Sequence, residues 1–207
     1  MVQQGPKREK LIYSIFFREW IFRFSFVLKN LPDLIDTGYY PLFLSATQNK
    51  KRMKQVLFVC LGNICRSPSA EAIFNSLIEK SGLEKELQCD SAGILNVHAR
   101  EPADYRMDQF AQKRGYHLTS ISRPVDPHRD FDRFDYIIGM DRENIRDLQA
   151  MARNKNDRKK IFRMTDFCMN HKTESVPDPY FGGDAGFELV LDVLEDACAG
   201  LMRKFQK

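Results

Sequence analysis

The chain lacks several features that would assign it at once. It has no apolar run of about 18 residues free of charge, so stable membrane insertion is not expected. It has only five cysteines in 207 residues, an odd and modest number. A secreted disulfide scaffold would carry more, in even number. The count suits a reducing compartment such as the cytoplasm, where a cysteine stays a thiol and can do chemistry. The four histidines, His98, His117, His128 and His171, are scattered. No group of His and Cys has metal-ligand spacing, so no metal and no cofactor is expected. Internal repeats and low-complexity segments are missing. The overall charge is also small, at +4, and it is unevenly placed. Residues 1–52 hold nine Lys/Arg and four Asp/Glu, whereas 53–207 hold 23 and 24. The larger part is near neutral and offers nothing to nucleic acid.

What is present is a globular composition, 43% hydrophobic and 29% charged. The length fits one domain, or one domain with an appendage. The appendage would be residues 1–52, which carry ten of the 24 aromatic residues and the only tryptophan, Trp20. Arg18, Glu19 and Arg23 interrupt the apolar stretch Leu11–Leu28 and spoil it as a spanning helix or signal peptide. Glu9, Glu19, Asp33 and Asp36 argue against a mitochondrial-type presequence. An amphipathic surface helix is another reading, although Phe22, Phe24 and Phe26 alternate with the period of a strand. Met53 follows the basic patch Lys50-Lys51-Arg52. Two readings therefore stand: a real N-terminal extension over 1–52, or an upstream artefact of the gene model with translation starting at Met53.

From Gln55 the pattern becomes regular. Val56-Leu57-Phe58-Val59 is a continuous apolar run, the mark of a strand buried on both faces of a parallel sheet. Ala72, Ile73, Leu77 and Ile78 predict a helix from about Pro68 to Lys80. A second strand is predicted near Leu87–Ser91 and a helix from Asp104 to a stop at Gly115. A third strand covers Tyr136–Met140, a third helix Arg142–Arg153, and a weak strand Lys160–Met164. The last helix, about Asp184–Phe205, places Phe187, Leu191, Leu194, Cys198, Leu201 and Phe205 on one face. Alternating strands and helices predict an α/β fold: a single Rossmann-like domain over 53–207, with a four-stranded parallel sheet flanked by helices on both faces.

The chemistry is concentrated in Cys60-Leu61-Gly62-Asn63-Ile64-Cys65-Arg66-Ser67. This segment starts where a buried strand ends and finishes where a helix begins, the usual place for a ligand in such sheets. A helix N-terminus presents unpaired N–H groups and the positive end of its dipole to an anion. Successive N–H groups of a tight loop can nest a phosphate-sized oxyanion, and Gly62 is expected to relax the backbone for that turn. Arg66 can grip two oxygens with its planar fork. Cys60 points into the same field, which favours the thiolate. Ser67 can donate a hydrogen bond to that sulfur.

These residues carry a resemblance. Val56–Glu71, VLFVCLGNICRSPSAE, resembles the phosphate-binding loop of the low-molecular-weight protein tyrosine phosphatase family nearly residue for residue. Val176-Pro177-Asp178-Pro179-Tyr180-Phe181-Gly182-Gly183 resembles that family's acid loop. Asp90-Ser91-Ala92-Gly93 is a third match, Glu101–Arg106 a weaker one, and Tyr136–Leu148 is also similar. Together they span about 53–207. The resemblance implies a phosphotyrosine phosphatase acting on phosphotyrosine proteins or small aryl phosphates without a metal. It implies Cys60 as nucleophile, Arg66 as stabiliser of the transferring group, and Asp178 as general acid and then base. Leu61, Gly62, Asn63, Ile64, Cys65 and Ser67 would bind phosphate, and Tyr180 would line the cleft beside a phenyl ring. Asn63 and Ser91 would hold the loop in its strained shape. Cys65 is either a redox guard that forms a reversible disulfide with Cys60 or a small buried residue. Cys89, Cys168 and Cys198 read as structural.

Three positions depart from the family pattern. Val97 stands where a bulky aromatic is frequent, Arg100 where glycine is common, and Phe181 where tyrosine is frequent. Three other activities compete with the main reading. A protein arginine phosphatase tends to carry threonine where this chain has Ile64. An arsenate reductase needs relay cysteines, and none lies between Asp90 and Phe167. A non-catalytic phosphoprotein-binding module would not need Asp178.

Overall fold

The computed structural model describes residues 52–206. The extension read from the sequence falls outside them up to residue 51, and so do the helix and presequence readings made for it.

The apolar run Val56–Val59 lies within β1, Lys54–Cys60, whose last five residues are buried. Side chains of a strand point alternately to opposite faces, so an unbroken run serves two cores. Val56, Phe58 and Cys60 join one apolar cluster, while Leu57 and Val59 join the other. β1 pairs in parallel with β2, Leu87–Gly93, on one side and with β3, Tyr136–Gly139, on the other. β4, Ile161–Arg163, extends the sheet beyond β3, giving the order β2-β1-β3-β4. The expected four-stranded parallel sheet is therefore present.

Helices cover both faces. α1, Arg66–Lys80, and α6, Gly183–Met202, pack on the face that carries Phe58, through Ile73, Phe74, Val190, Leu194 and Leu201. α2, Tyr105–Lys113, rests on α6, with Phe110 stacked on Phe187 at 5.3 Å. The opposite core is closed by α3, Pro127–Arg133, and α4, Arg142–Met151, through Phe131 and Leu148. A short α5, Lys155–Arg158, leads into β4. Among the described residues, no helix is long and apolar enough to cross a membrane.

Several element ends differ from the sequence reading. α1 starts at Arg66, two residues before Pro68. α2 stops at Lys113, with Gly115 beyond it at φ +83°. α6 stops at Met202, yet Phe205 still packs on this core, with its ring 6.3 Å from that of Phe74. α3 escapes periodicity because seven residues make only two turns. Its signal lies in Asp126-Pro127: the Asp126 carboxylate accepts from the N–H groups of His128 and Arg129, and proline takes the first helical position.

Candidate active site

Four helices begin under a side-chain cap, from Asp104, Asp126, Asp141 and Asn154 respectively. α6, which starts after Gly182, and α1 do not; the N-cap of α1 is Cys65, which makes no capping hydrogen bond. The loop Leu61–Cys65 thus delivers the chain from the carboxyl end of β1 to a helix N-terminus that no side chain caps. That is the condition for binding an anion there.

Cys60, the last residue of β1, is 3% exposed. Its sulfur accepts from the Asn63 N–H at 3.3 Å and lies 3.0 Å from the Ser67 hydroxyl. Ser67 in turn accepts from Asn63 Nδ2 at 3.0 Å, which leaves its own proton free to point at the sulfur or at the Ala92 carbonyl, 3.3 Å away.

Asn63 is the hub of the loop. It is buried, its Nδ2 also donates to Ser91 Oγ at 2.9 Å, and its Oδ1 accepts from the Arg123 N–H at 2.9 Å. Asn63 also has φ 56°. This corrects the reading of Gly62: the left-handed residue of the turn is Asn63, not the glycine. Asparagine tolerates that region better than other side chains do, because its short amide can bond locally. At Gly62 a Cβ would stand 3.0 Å from Cδ2 of the partly exposed His98 side chain, which would have to give way. Arg100 has φ 73°, which explains in physical terms why glycine would suit its position.

Arg66 is 7% exposed, and its Nη1 donates to Asp141 Oδ2 at 2.7 Å and to the Val176 carbonyl at 3.2 Å. Asp141 caps α4 with its other oxygen, accepting from the Asn144 N–H at 2.7 Å. The guanidinium is therefore aimed by two segments, one after β3 and one at the start of Val176–Gly183.

Asp178 opens a single 3-10 turn, Pro179–Phe181, and its Oδ1 accepts from the Tyr180 N–H at 3.0 Å. Asp178 and Cys60 are 118 residues apart in sequence, yet they line one cleft of about 200 Å³. Leu61, Gly62, Ile64, Cys65, Arg66 and Tyr180 line it too, with Leu95, Val97, His98 and Pro179. Val97 is 67% exposed at the mouth. Asn63, Ser67 and Ser91 are not part of the lining; they stand behind the loop as its hydrogen-bond frame. Every site residue expected from the sequence is thus in the cleft or directly behind it.

Burial pushes the Cys65 thiol up to about 12, with the carboxylates of Asp104 and Asp178 and the Cys60 sulfur adding to the effect. Cys65 is therefore a thiol at neutral pH, and it faces the Tyr180 hydroxyl at 3.7 Å. Tyr180, though half exposed as a residue, is likewise held above the usual phenol range, by partial desolvation of its hydroxyl and by its hydrogen bond to Asp104. All five cysteines are free. Among the described residues, no group of three His, Cys, Asp or Glu could hold a metal ion.

Sequence reasoning did not assign the residues that orient the site: Asp141, the Val176 carbonyl, Arg123 and Ser122, whose hydroxyl donates to the Gly62 carbonyl at 3.1 Å. Only Asp141 leaves a local trace, as an aspartate three residues before Asn144 at the start of a helix.

A parallel sheet whose central strand turns through a tight loop into an uncapped helix start, with a cysteine and an arginine at that turn, is a class of α/β site that can take an anion. Comparison with known proteins narrows this to a protein phosphatase. A model of the low molecular weight phosphotyrosine protein phosphatase family matches residues 55–207, and the chain belongs to that family. It is 42% identical over 155 residues to the Bacillus subtilis low molecular weight protein-tyrosine-phosphatase YfkJ, covering 75% of this chain and 97% of the relative. A crystal structure of a protein tyrosine phosphatase from Entamoeba histolytica, with Hepes in its active site, superposes with a TM-score of 0.71. The two are 48% identical, over 74% of this chain and 97% of that one. A Drosophila arginine phosphatase superposes with a TM-score of 0.68 at 31% identity, over 75% of this chain and 99% of that one.

Proposed function

We propose that this chain hydrolyses phosphotyrosine in proteins, and small aryl phosphates, through a phosphocysteine intermediate and without a metal ion. One observation carries the reading. The Cys60 sulfur lies under the Asn63 N–H and the Ser67 hydroxyl, in the same cleft as Arg66 and Asp178.

In the first half-reaction the Cys60 thiolate attacks phosphorus in line and displaces the tyrosyl oxygen. An S–P bond forms, the P–O bond to the ring breaks, and the Asp178 carboxyl gives its proton to the departing phenolate. The loop N–H groups of Leu61 to Cys65 and the Arg66 guanidinium stabilise charge on the three equatorial oxygens, preorganised by the Asn63 and Asp141 bonds. In the second half-reaction Asp178, now a carboxylate, takes a proton from water as it attacks phosphorus. The S–P bond breaks, and Ser67 donates to the leaving sulfur. Ser91 acts through Asn63, and Tyr180 flanks the ring. Five free thiols suit a reducing compartment, so the proposal places the protein in the cytoplasm.

Likeness to an arginine phosphatase favours a second reading, removal of phosphate from phosphoarginine. The cleft weighs against it. A guanidinium leaving group calls for carboxylates, and Asp178 is the one acidic residue of this lining, beside Leu61, Ile64, Leu95 and Val97. The test is turnover of p-nitrophenyl phosphate, phosphotyrosine peptides and phosphoarginine in EDTA. Cys60→Ser should be inactive, and Asp178→Asn should lose about 10²–10³-fold on phosphotyrosine. Wild-type turnover by Cys60→Ser would overturn the mechanism, and faster cleavage of phosphoarginine would select the second reading.

A further inference from the structure

The acid loop is tied to the phosphate loop at a point away from the reacting atoms. The Tyr180 hydroxyl donates to Asp104 Oδ2 at 2.7 Å. The other oxygen of Asp104 caps α2, accepting from the N–H groups of Arg106 at 3.0 Å and Met107 at 3.1 Å. The Asp104 N–H donates to the carbonyl of Ile64, inside the phosphate loop, at 2.8 Å. One aspartate therefore joins the phosphate loop, the start of α2 and the acid loop. Arg106 fixes the ring itself: its guanidinium carbon lies 4.9 Å from the Tyr180 centroid and 5.0 Å from that of Phe187. The Phe187 ring stands edge-on to Tyr180 at 6.4 Å. The Tyr180 N–H holds Asp178 Oδ1 at 3.0 Å, so a Tyr180 that shifts takes Asp178 with it.

A tyrosine that only walled the cleft would need no carboxylate acceptor on another segment. Each of these contacts is partly exposed and weak alone. They converge on one ring from two directions, and the group they control must reach hydrogen-bond distance of a phenolic oxygen. An error of about 1 Å in such a group can cost about 10²-fold. We propose that Asp104 and Arg106 are positioning residues: with the Tyr180 hydroxyl they latch the acid loop to the phosphate loop and set where Asp178 meets the leaving group. The proposal rests on the reading of Asp178 as the acid.

The test compares kcat/KM on two esters. p-Nitrophenolate leaves readily without a proton, whereas phenolate needs one, so only phenyl phosphate reports the acid strongly. The variants are Tyr180→Phe, Asp104→Ser, whose hydroxyl keeps the cap but is too short to reach the Tyr180 oxygen as well, and Arg106→Leu. Asp178→Asn and the double variant Asp178→Asn/Tyr180→Phe serve as references. The Asp104 and Arg106 variants should each lose about 10–100-fold on phenyl phosphate and less than about 3-fold on p-nitrophenyl phosphate, with inhibition by inorganic phosphate unchanged, while Tyr180→Phe, whose ring also flanks the substrate, should lose about 10-fold more on phenyl phosphate than on p-nitrophenyl phosphate. Adding Tyr180→Phe to Asp178→Asn should cause no further loss, because both act through one group. Equal losses on the two esters, no loss, or additive losses in the double variant would overturn the latch. Ester bias in Asp178→Asn without bias in the latch variants rejects the latch and leaves the acid reading standing. Absence of bias in Asp178→Asn itself rejects the acid reading and the latch with it. If Arg106→Leu does not fold, Tyr180→Phe, which removes a single oxygen, decides the matter.

Discussion

Replacing Asn63 tests the frame of the phosphate loop, because two separable costs meet at that residue. Its amide makes three hydrogen bonds, to Ser67, Ser91 and the Arg123 N–H. Alanine leaves those buried partners without it, at about 1–3 kcal/mol for each group that finds no substitute. Alanine must also sit at φ 56°, which adds about 1 kcal/mol. With partial relaxation, Asn63→Ala should cost about 4 kcal/mol. Glycine loses the same bonds but is at ease at positive φ, so Asn63→Gly should be more stable than Asn63→Ala by about 1 kcal/mol. That order is the reverse of the usual alanine-over-glycine ranking. Urea unfolding followed by circular dichroism reads both. At an m-value of about 2 kcal/mol/M, alanine should lower the midpoint by about 2 M and glycine by about 1.5 M. A glycine variant no more stable than the alanine one would refute the strain argument. A loss below about 1 kcal/mol in both would refute the hub.

Three further expectations concern residues away from the nucleophile. Asp141→Asn removes the charge that aims Arg66 and should lower kcat/KM about 10-fold or more while phosphate still binds, as seen in steady-state kinetics; unchanged kcat/KM would show that Val176 suffices. Asp196 is buried, which alone would raise its pKa, yet the N–H groups of His171, Asn170 and Met169 bring it from 3.8 to about 2. A depressed carboxylate stabilises the fold above its unfolded pKa and loses that contribution as pH falls through the folded one. Asp196→Asn should therefore cost about 2 kcal/mol at pH 7 and progressively less from about pH 4 to pH 2, in melting curves run across pH. Glu71 has the opposite sign: burial, with the nearby Asp90, raises it, and its Oε2 has no hydrogen-bond partner. Its ionisation works against folding as pH rises above 4.5. Glu71→Gln should thus match or exceed the wild type in Tm at pH 8 and lose that advantage in acid; a variant that melts lower at pH 8 would contradict this.

The parts of the molecule that could be read from sequence are those whose physics is local. Val56–Val59 shows its two-sided burial as an unbroken apolar run, and the α6 face shows itself by spacing. The phosphate loop is legible because strand end, glycine, arginine and helix start follow one another within eight residues. What could not be read depends on distant partners. Arg66 is aimed by residues 75 and 110 positions away. Asn63, not Gly62, takes the left-handed turn because its amide can bond Ser91 and Arg123. Those partners come from the end of β2 and the segment before α3, and adjacency in sequence reveals neither. Asp104 was visible as a weak motif and a helix start. Its bond to Tyr180 spans 76 residues and exists only once α2 and the acid loop stand over the same cleft.

The central claim is that phosphorus is transferred to the Cys60 sulfur. Mixing the enzyme with p-nitrophenyl phosphate, quenching within the turnover time and mapping peptides by mass spectrometry tests it directly. The account predicts one added phosphoryl group on the peptide that contains Cys60, absent from Cys60→Ser. A phosphoryl group on another residue, or full turnover by Cys60→Ser with no covalent species, would contradict it.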